Sequence, residues 1–486
     1  MKTKIQYLAV ICSLFLLAAC YEDKGNYNYT PISDVVISNI KIIDTAYVGQ
    51  QYIVQPALSY PHGPIKNIAY EWRISGKVVS QEKDLNIKMT LSPSTVYADY
   101  AVIDKDSGLK SLYTFKIYIT SEFLTGWLLL CDMGTYSRLD YMQDNGNFHE
   151  DIYYDINGEH LSGKPLMIRE HFRPWKTDIG QLLVVSQENP GPVELNGSNF
   201  NRVVHTRDEF AGSAPADFMP MSADYVQGCD YVVSNHKLYS RLLLNKTGAE
   251  FQEGSYASTP FYGDYSLSSW SARGNWLAEY VVYFDEKSKS FMEAREGELN
   301  FFDYVNDPEK KFNPLNMNST LLAGAMTANK SPEDNYLVVM RNASNQINLY
   351  RFAFNNSTKK YKSLAAATFP KPELINDNTH FAICRKRPYM YFNVGTVLYY
   401  YNYEVNTEPV ELCDLKRPIA NMAINPVTSE TLGVTIESEN NASLCDFLVL
   451  DVSIAGNGKV VTEKKSVTRN VVHILYKIGN KNSVNN

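Results

Sequence analysis

Thiol-redox and zinc chemistry find no motif in this chain. Its 7 cysteines form no C-x-x-C pair, the spacing both chemistries use. Cys12 and Cys20 lie near the N-terminus. Cys131, Cys229, Cys384, Cys413 and Cys445 mostly flank apolar runs, as after Leu128-Leu129-Leu130, and are expected to be buried strand thiols. Their odd number leaves any disulfide pairing open. Histidine is scarce, at 8, and H-E-x-x-H does not occur. His160 and His171, beside Glu159 and Glu170, are expected to be loop residues, and His473, inside an apolar run, a satisfied core histidine. No G-x-S-x-G elbow is present. Gly158 to Lys164 fits G-x-x-x-x-G-K, but Pro165 stands where Ser or Thr would hold magnesium, so a phosphate loop is excluded. With Lys+Arg 46 against Asp+Glu 53 and no basic stripe, nucleic acid is not an expected partner. Beyond the N-terminus no apolar run approaches the roughly 20 residues of a membrane-spanning helix.

The N-terminus carries what the rest lacks. Lys2 and Lys4 precede the apolar run Ile5–Leu17, and Leu17-Ala18-Ala19 leads into Cys20. A basic n-region, a short apolar core and small residues before a cysteine are the pattern of a lipoprotein leader, with residues 1–19 removed and Cys20 lipidated. Residues 20–32 then form the anchor and a polar tether.

Tyrosine is the compositional excess, at 35 residues. Aromatic and β-branched residues favour strands, and no long stretch shows helical periodicity, so the chain is all-β. Over 33–122, Ile68, Tyr70, Trp72 and Ile74 alternate with Ala69, Glu71, Arg73 and Ser75. Leu85, Ile87, Met89 and Leu91 repeat the pattern, as do Tyr113, Phe115, Ile117 and Ile119. Short half-buried strands with a central Trp predict an immunoglobulin-like β-sandwich without a disulfide behind Trp72.

Here the residues take on a family likeness. Cys20-Tyr-Glu-Asp-Lys-Gly-Asn-Tyr-Asn-Tyr29, then Ile32-Ser-Asp-Val-Val36 and Tyr70-Glu71-Trp72 resemble the PKD-like lipoproteins of Bacteroidetes, most clearly over residues 20–130. The Trp-Asp-Phe-Gly-Asp motif of standard PKD domains is missing. The resemblance implies a similar sandwich, a place beside SusC/SusD-type TonB-dependent outer-membrane importers, and no catalytic residues. Glu22 and Asp23 after the lipidated cysteine resemble a surface-export signal, which implies an outer-membrane protein facing the cell exterior.

From Gly126-Trp127 to residue 486 the chain repeats itself. Tyr136-Ser-Arg-Leu139 recurs as Tyr239-Ser-Arg-Leu242, and Leu349-Tyr350-Arg351 and Leu398-Tyr399-Tyr400 occupy similar second-strand positions. With Glu194, Phe301 and Phe447 they give seven anchors at a period of roughly 50 residues, the length of one four-stranded propeller blade. The expectation for 126–486 is a seven-bladed β-propeller, with Val471–Tyr476 pairing near Trp127 to close it.

Candidate binding residues come from aromatic loops. Tyr262, Tyr265, Trp270 and Arg273 sit in one cluster with Tyr256, Phe261 and Trp276; Arg173 and Trp175 sit in another, after His171-Phe172. Tyr, Trp and Arg are the residues of binding hot spots, and they suit a glycan or peptide ligand. The oxygen-rich segment from Asp140 to Asn157 lacks calcium-loop spacing and is expected to be a polar loop. No catalytic residue, metal or cofactor is expected. The leading functional expectation is an accessory nutrient-binding lipoprotein. A surface hydrolase or lyase and a purely structural importer subunit are the alternatives.

Overall fold

The computed structural model describes residues 35–172, 180–226, 228–242, 254–274, 279–302, 310–330, 332–439, 441 and 443–479. Cys20 and its leader therefore lie outside the described residues. The chain divides into two compact units. One draws on residues 35–45, Gln51–Ile87 and Thr95–Tyr118; the other runs from Ile119, with the short segments Ala46–Gln50 and Lys88–Ser94.

The first unit is a β-sandwich. Its main sheet has five strands in the order Ile43–Tyr47, Lys110–Thr120, Ser94–Asp104, Ile68–Ile74, Lys77–Ser80. Two smaller pairs join Val36–Ser38 to Ala57–Ser59 and Gln51–Val54 to Leu85–Lys88. Alternation puts Trp72 and Ile74 inward with Phe115, Ile117 and Ile119. The Trp72 indole stacks on Tyr100 at 4.2 Å and meets Phe115 edge-on. Its Nε1 donates to the carbonyls of Glu82 (3.0 Å) and Lys83 (3.3 Å), so the buried polar atom is satisfied and no disulfide backs the ring. The Leu85 pattern is shorter than expected. Met89 is buried, but Leu91 lies past the end of its strand and is exposed.

Among the described residues, the second unit carries seven antiparallel sheets. The first is Phe148–His149, Ser137–Gln143, Gly126–Asp132 and, innermost, Val471–Lys477. The other six follow in chain order, and their innermost strands are Pro165–His171, Pro220–Val226, Leu267–Arg273, Ser319–Lys330, Phe381–Ile383 and Ile419–Ile424. Each inner strand neighbours the next. Ile419–Ile424 neighbours Val471–Lys477, which in turn neighbours Pro165–His171, so the circuit closes. Closure is carried by the expected strand: Trp127 is registered with Tyr476, and Leu128 with Leu475. This is a propeller-like all-β arrangement, which leaves no long open edge at the join.

The second strand of each sheet is largely buried on both faces, which is why its sequence is a mostly apolar run rather than an alternation. Leu128 and Leu130 pack towards Leu182 and Val184 of the second sheet. Leu129 and Cys131 pack towards Phe447 and Val449 of the seventh. All five described cysteines are free, four of them buried and Cys413 half-buried. Burial pushes the Cys229 and Cys384 thiols up to about 12.

The repeat anchors lie one strand further out than expected. Glu194, Tyr239, Tyr350, Tyr399 and Phe447 sit on third strands, not second ones, and Phe301 sits on a fourth. Each of these repeats opens at the axis with an inner strand whose polar and small residues, such as Ser271-Ala272-Arg273, give little apolar pattern. Several of these inner strands carry a register shift near their start, at Pro165/Met167, Pro220/Ser222, Leu267/Ser271 and Ile419/Asn421. A bulge there bends the strand.

Candidate functional site

Residues of the inner strands line a cavity of about 260 Å³ in the second unit. The second sheet contributes Arg169 and Glu170, the third Asp224, the fourth Ser271, Ala272 and Arg273, and the fifth Gly324, Ala325 and Met326. Arg385 and Pro426 follow the inner strands of the sixth and seventh sheets, and Leu475, Tyr476 and Ile478 come from the closing strand and the residues after it. Phe172 adds an aromatic wall.

Both carboxylates of this lining already have partners. Asp224 lies 3.4 Å from Arg169 Nε and accepts a hydrogen bond from Ser271 Oγ. Glu170 accepts from the backbone N–H groups of Ile478 (2.7 Å) and Gly479 (3.0 Å), with Lys477 Nζ at 3.8 Å. The cations are less evenly matched. Arg273 donates to the carbonyls of Glu170 and Tyr225, so its hydrogen bonds go to neutral acceptors, and the Asp224 and Glu170 carboxylates act on its charge without a direct ion pair. Arg385 makes no hydrogen bond or ion pair among the described residues. Burial, with Arg273 nearby, lowers the Arg385 guanidinium to about 10 against the pull of Asp334. Arg273 is also lowered, by burial first and by Arg169 among its neighbours. Beneath the lining, burial and Arg169 hold His473 down to about 3, and its Nδ1 lies 3.4 Å from the Ile168 N–H. His473 is half-buried in its apolar strand, with Nδ1 accepting from the backbone.

Of the sequence-predicted binding residues among the described ones, Arg273 alone lines this cavity. Trp270 packs between sheets: its ring lies on Gly324, where a Cβ would come within 2.9 Å of the indole, and its Nε1 donates to the Gly324 carbonyl at 2.9 Å. Tyr265 is buried, its hydroxyl accepting from Leu238 N–H (3.3 Å) and donating to the Phe261 carbonyl (2.9 Å). Both rings pack within the second unit, Tyr265 buried and Trp270 half-buried. Tyr262 is fully exposed. Arg173 and Trp175 lie outside the described residues. The linear sequence did not single out Arg169, Asp224 or Arg385, which lie far apart in the chain. The available signal was periodic: Arg169, Arg273 and Arg385 fall roughly two repeats apart, on the second, fourth and sixth sheets.

The oxygen-rich segment is structural. Asp140 is buried beside Arg138 at 2.9 Å, and Asp151 caps the short helix Ile152–Asn157, accepting from Tyr154 N–H. Among the described residues no group of three or more His, Cys, Asp or Glu could hold a metal ion, and no helix is long and apolar enough to cross a membrane.

Comparison with known families matches residues 20–165 to the PKD-like family. Comparison with curated proteins finds no match. Among solved structures, a quinoprotein alcohol dehydrogenase-like protein from Bacteroides thetaiotaomicron is similar at 14% identity and a TM-score of 0.41, over 90% of this chain and 96% of that one. A protein from Lactobacillus plantarum is similar at 9% identity and 0.46, over 72% and 99%. The β-propeller domain of Cps50 (Swd1) from Myceliophthora thermophila is similar at 11% identity and 0.36, over 64% and 89%.

Proposed function

We propose that this chain is a lipid-anchored binding protein, held to the outer membrane through Cys20 and facing the cell exterior. The PKD-like sandwich is its spacer, and the seven sheets are the seven blades of a propeller that presents the axial cavity to a nutrient. In this reading the protein is an accessory component of a SusC/SusD-like uptake system and captures a glycan or peptide without transforming it. One observation carries the choice of binding over catalysis: the two carboxylates of the cavity are both already engaged. A hydrolase acting on glycosidic bonds needs a pair of carboxyl groups free to donate a proton and to attack or activate water. Glu170 is spent on backbone N–H groups and Asp224 on Arg169 and Ser271.

The test has two halves. The native protein is recovered from detergent-solubilised outer membranes through an affinity tag placed after its last residue. Importer subunits that co-purify, and lose the association on Cys20→Ala, support the anchored accessory role. The purified soluble form is titrated with a panel of oligosaccharides and short peptides, with product analysis on the same samples. Turnover of any of them overturns the binding reading, and co-purification without binding favours a structural subunit.

A further inference from the structure

We infer that the axial cavity recognises the carboxylate of a small organic anion through Arg385 and Arg273. The inference rests on the binding reading above and deepens it by assigning a ligand chemistry. Three guanidinium groups from alternate sheets share one cavity. Like charges enclosed together repel, and enclosure also strips them of water. A fold carries that cost for either internal ion pairs or a ligand. Arg169 has its pair in Asp224. Arg273 is steered by two backbone carbonyls, which orient the fork without neutralising it. Arg385 is oriented by no hydrogen bond among the described residues and lines the cavity.

The carboxylates near these two all have other partners, Asp334 included: it pulls on Arg385 but forms no ion pair with it among the described residues, and accepts from the Tyr280 hydroxyl and the Asn356 amide. Asp224 lies between Arg169 and Ser271, and Glu170 is held by Ile478, Gly479 and Lys477. An oxyanion ligand would supply the missing direct ion pair to these two guanidinium groups. A planar fork suits a carboxylate, which can take two parallel N–H donors.

The remaining walls favour an organic anion over an inorganic one. Phe172, Met326 and Leu475 add apolar surface to the lining that carries its cations. A bare phosphate would leave that surface unused, whereas a carboxylate on a carbon skeleton covers it. The volume admits a monosaccharide-sized group or a chain-terminal residue, below the range of roughly 300–1,000 Å³ usual for larger ligands. An acidic sugar and a peptide C-terminus share this chemistry.

The experiment is calorimetric titration of the mature chain with galacturonate, trialanine, inorganic phosphate and glucose, at low and at physiological salt. The expected result is saturable binding of galacturonate or trialanine, whichever is the source, weakened by salt and by at least about tenfold in Arg385→Gln. Arg385→Lys keeps the charge but loses the fork, and should bind between the two. If Gln at 385 lowers the melting temperature markedly, Arg273→Lys carries the same comparison. Binding of either carboxylate that is unchanged in the Arg385 variants overturns the inference, as does phosphate binding as tightly as both carboxylates. If glucose or a neutral oligosaccharide binds with no dependence on Arg385, the carboxylate assignment falls and the binding reading stands. If nothing in the wider panel binds, both fall.

Discussion

Lys477 Nζ lies 3.8 Å from the Glu170 carboxylate, and both side chains are almost fully enclosed. The pair joins the closing strand to the inner strand of the second sheet, across the point where the ends of the ring meet. Lys477 also donates to the Leu124 carbonyl at 2.7 Å. Burial works against both charges, lowering the lysine and raising the glutamate, and each partner opposes that in the other. Removing one partner strands the other charge. Lys477→Met should therefore cost about 3–5 kcal/mol, read as a lower urea midpoint for the second unit. A loss under about 1 kcal/mol would show that the pair does not hold the join.

Trp270 and Gly324 make a second cross-sheet contact with a steric signature. Any side chain at 324 meets Val338 and the indole at under 3.0 Å. Gly324→Val should be strongly destabilising, and Trp270→Ala should cost about 3–5 kcal/mol. In titrations, Trp270→Ala protein that remains folded should keep its ligand affinity. A selective loss of affinity with unchanged stability would return Trp270 to the binding site.

Tyr262 and Tyr265 should part ways. Tyr262 is solvent-exposed, so Tyr262→Ala should change stability by no more than about 0.5 kcal/mol. Tyr265→Phe removes a buried hydroxyl with two partners and should cost about 0.5–1.5 kcal/mol. Equal losses from thermal or urea melts would contradict the burial assignment.

His473 gives the stability an acid limb. Its folded value is depressed to about 3, so between there and the ordinary value near 6.5 the unfolded chain holds a proton that the folded chain does not. Its contribution is intact above about pH 6.5 and is lost as pH falls towards 3, at up to about 1.4 kcal/mol per pH unit. Urea midpoints for the wild type should fall between pH 7 and pH 5 more steeply than those for His473→Asn. Parallel slopes would exclude the histidine as the cause.

Much of the architecture was legible because burial writes itself into apolar pattern. Trp72 and Ile74 alternate in the sandwich, Leu128–Leu130 runs unbroken in the ring, and Val471–Tyr476 announces a further apolar strand. The candidate site was legible only at Arg273. Arg169, Asp224 and Arg385 meet through ring closure, which brings together residues from separate repeats that no linear motif connects. The aromatic cluster is ambiguous for a related reason. A ring that wedges sheets and a ring that stacks on a ligand have the same composition, and only the carbonyl of Gly324 under the Trp270 Nε1 distinguishes them.

The closing strand also dictates an order of events. Gly126–Asp132 appears early in the chain, yet the partner on its inner edge, Val471–Lys477, lies far downstream and is made much later. Until then one of the most apolar strands of the molecule has an unsatisfied row of backbone donors and acceptors, open to pairing with another chain. Contacts this distant in sequence form slowly. The join that makes the finished ring durable is therefore its weakest moment during assembly, and the interval in which the chain most needs protection from its own kind.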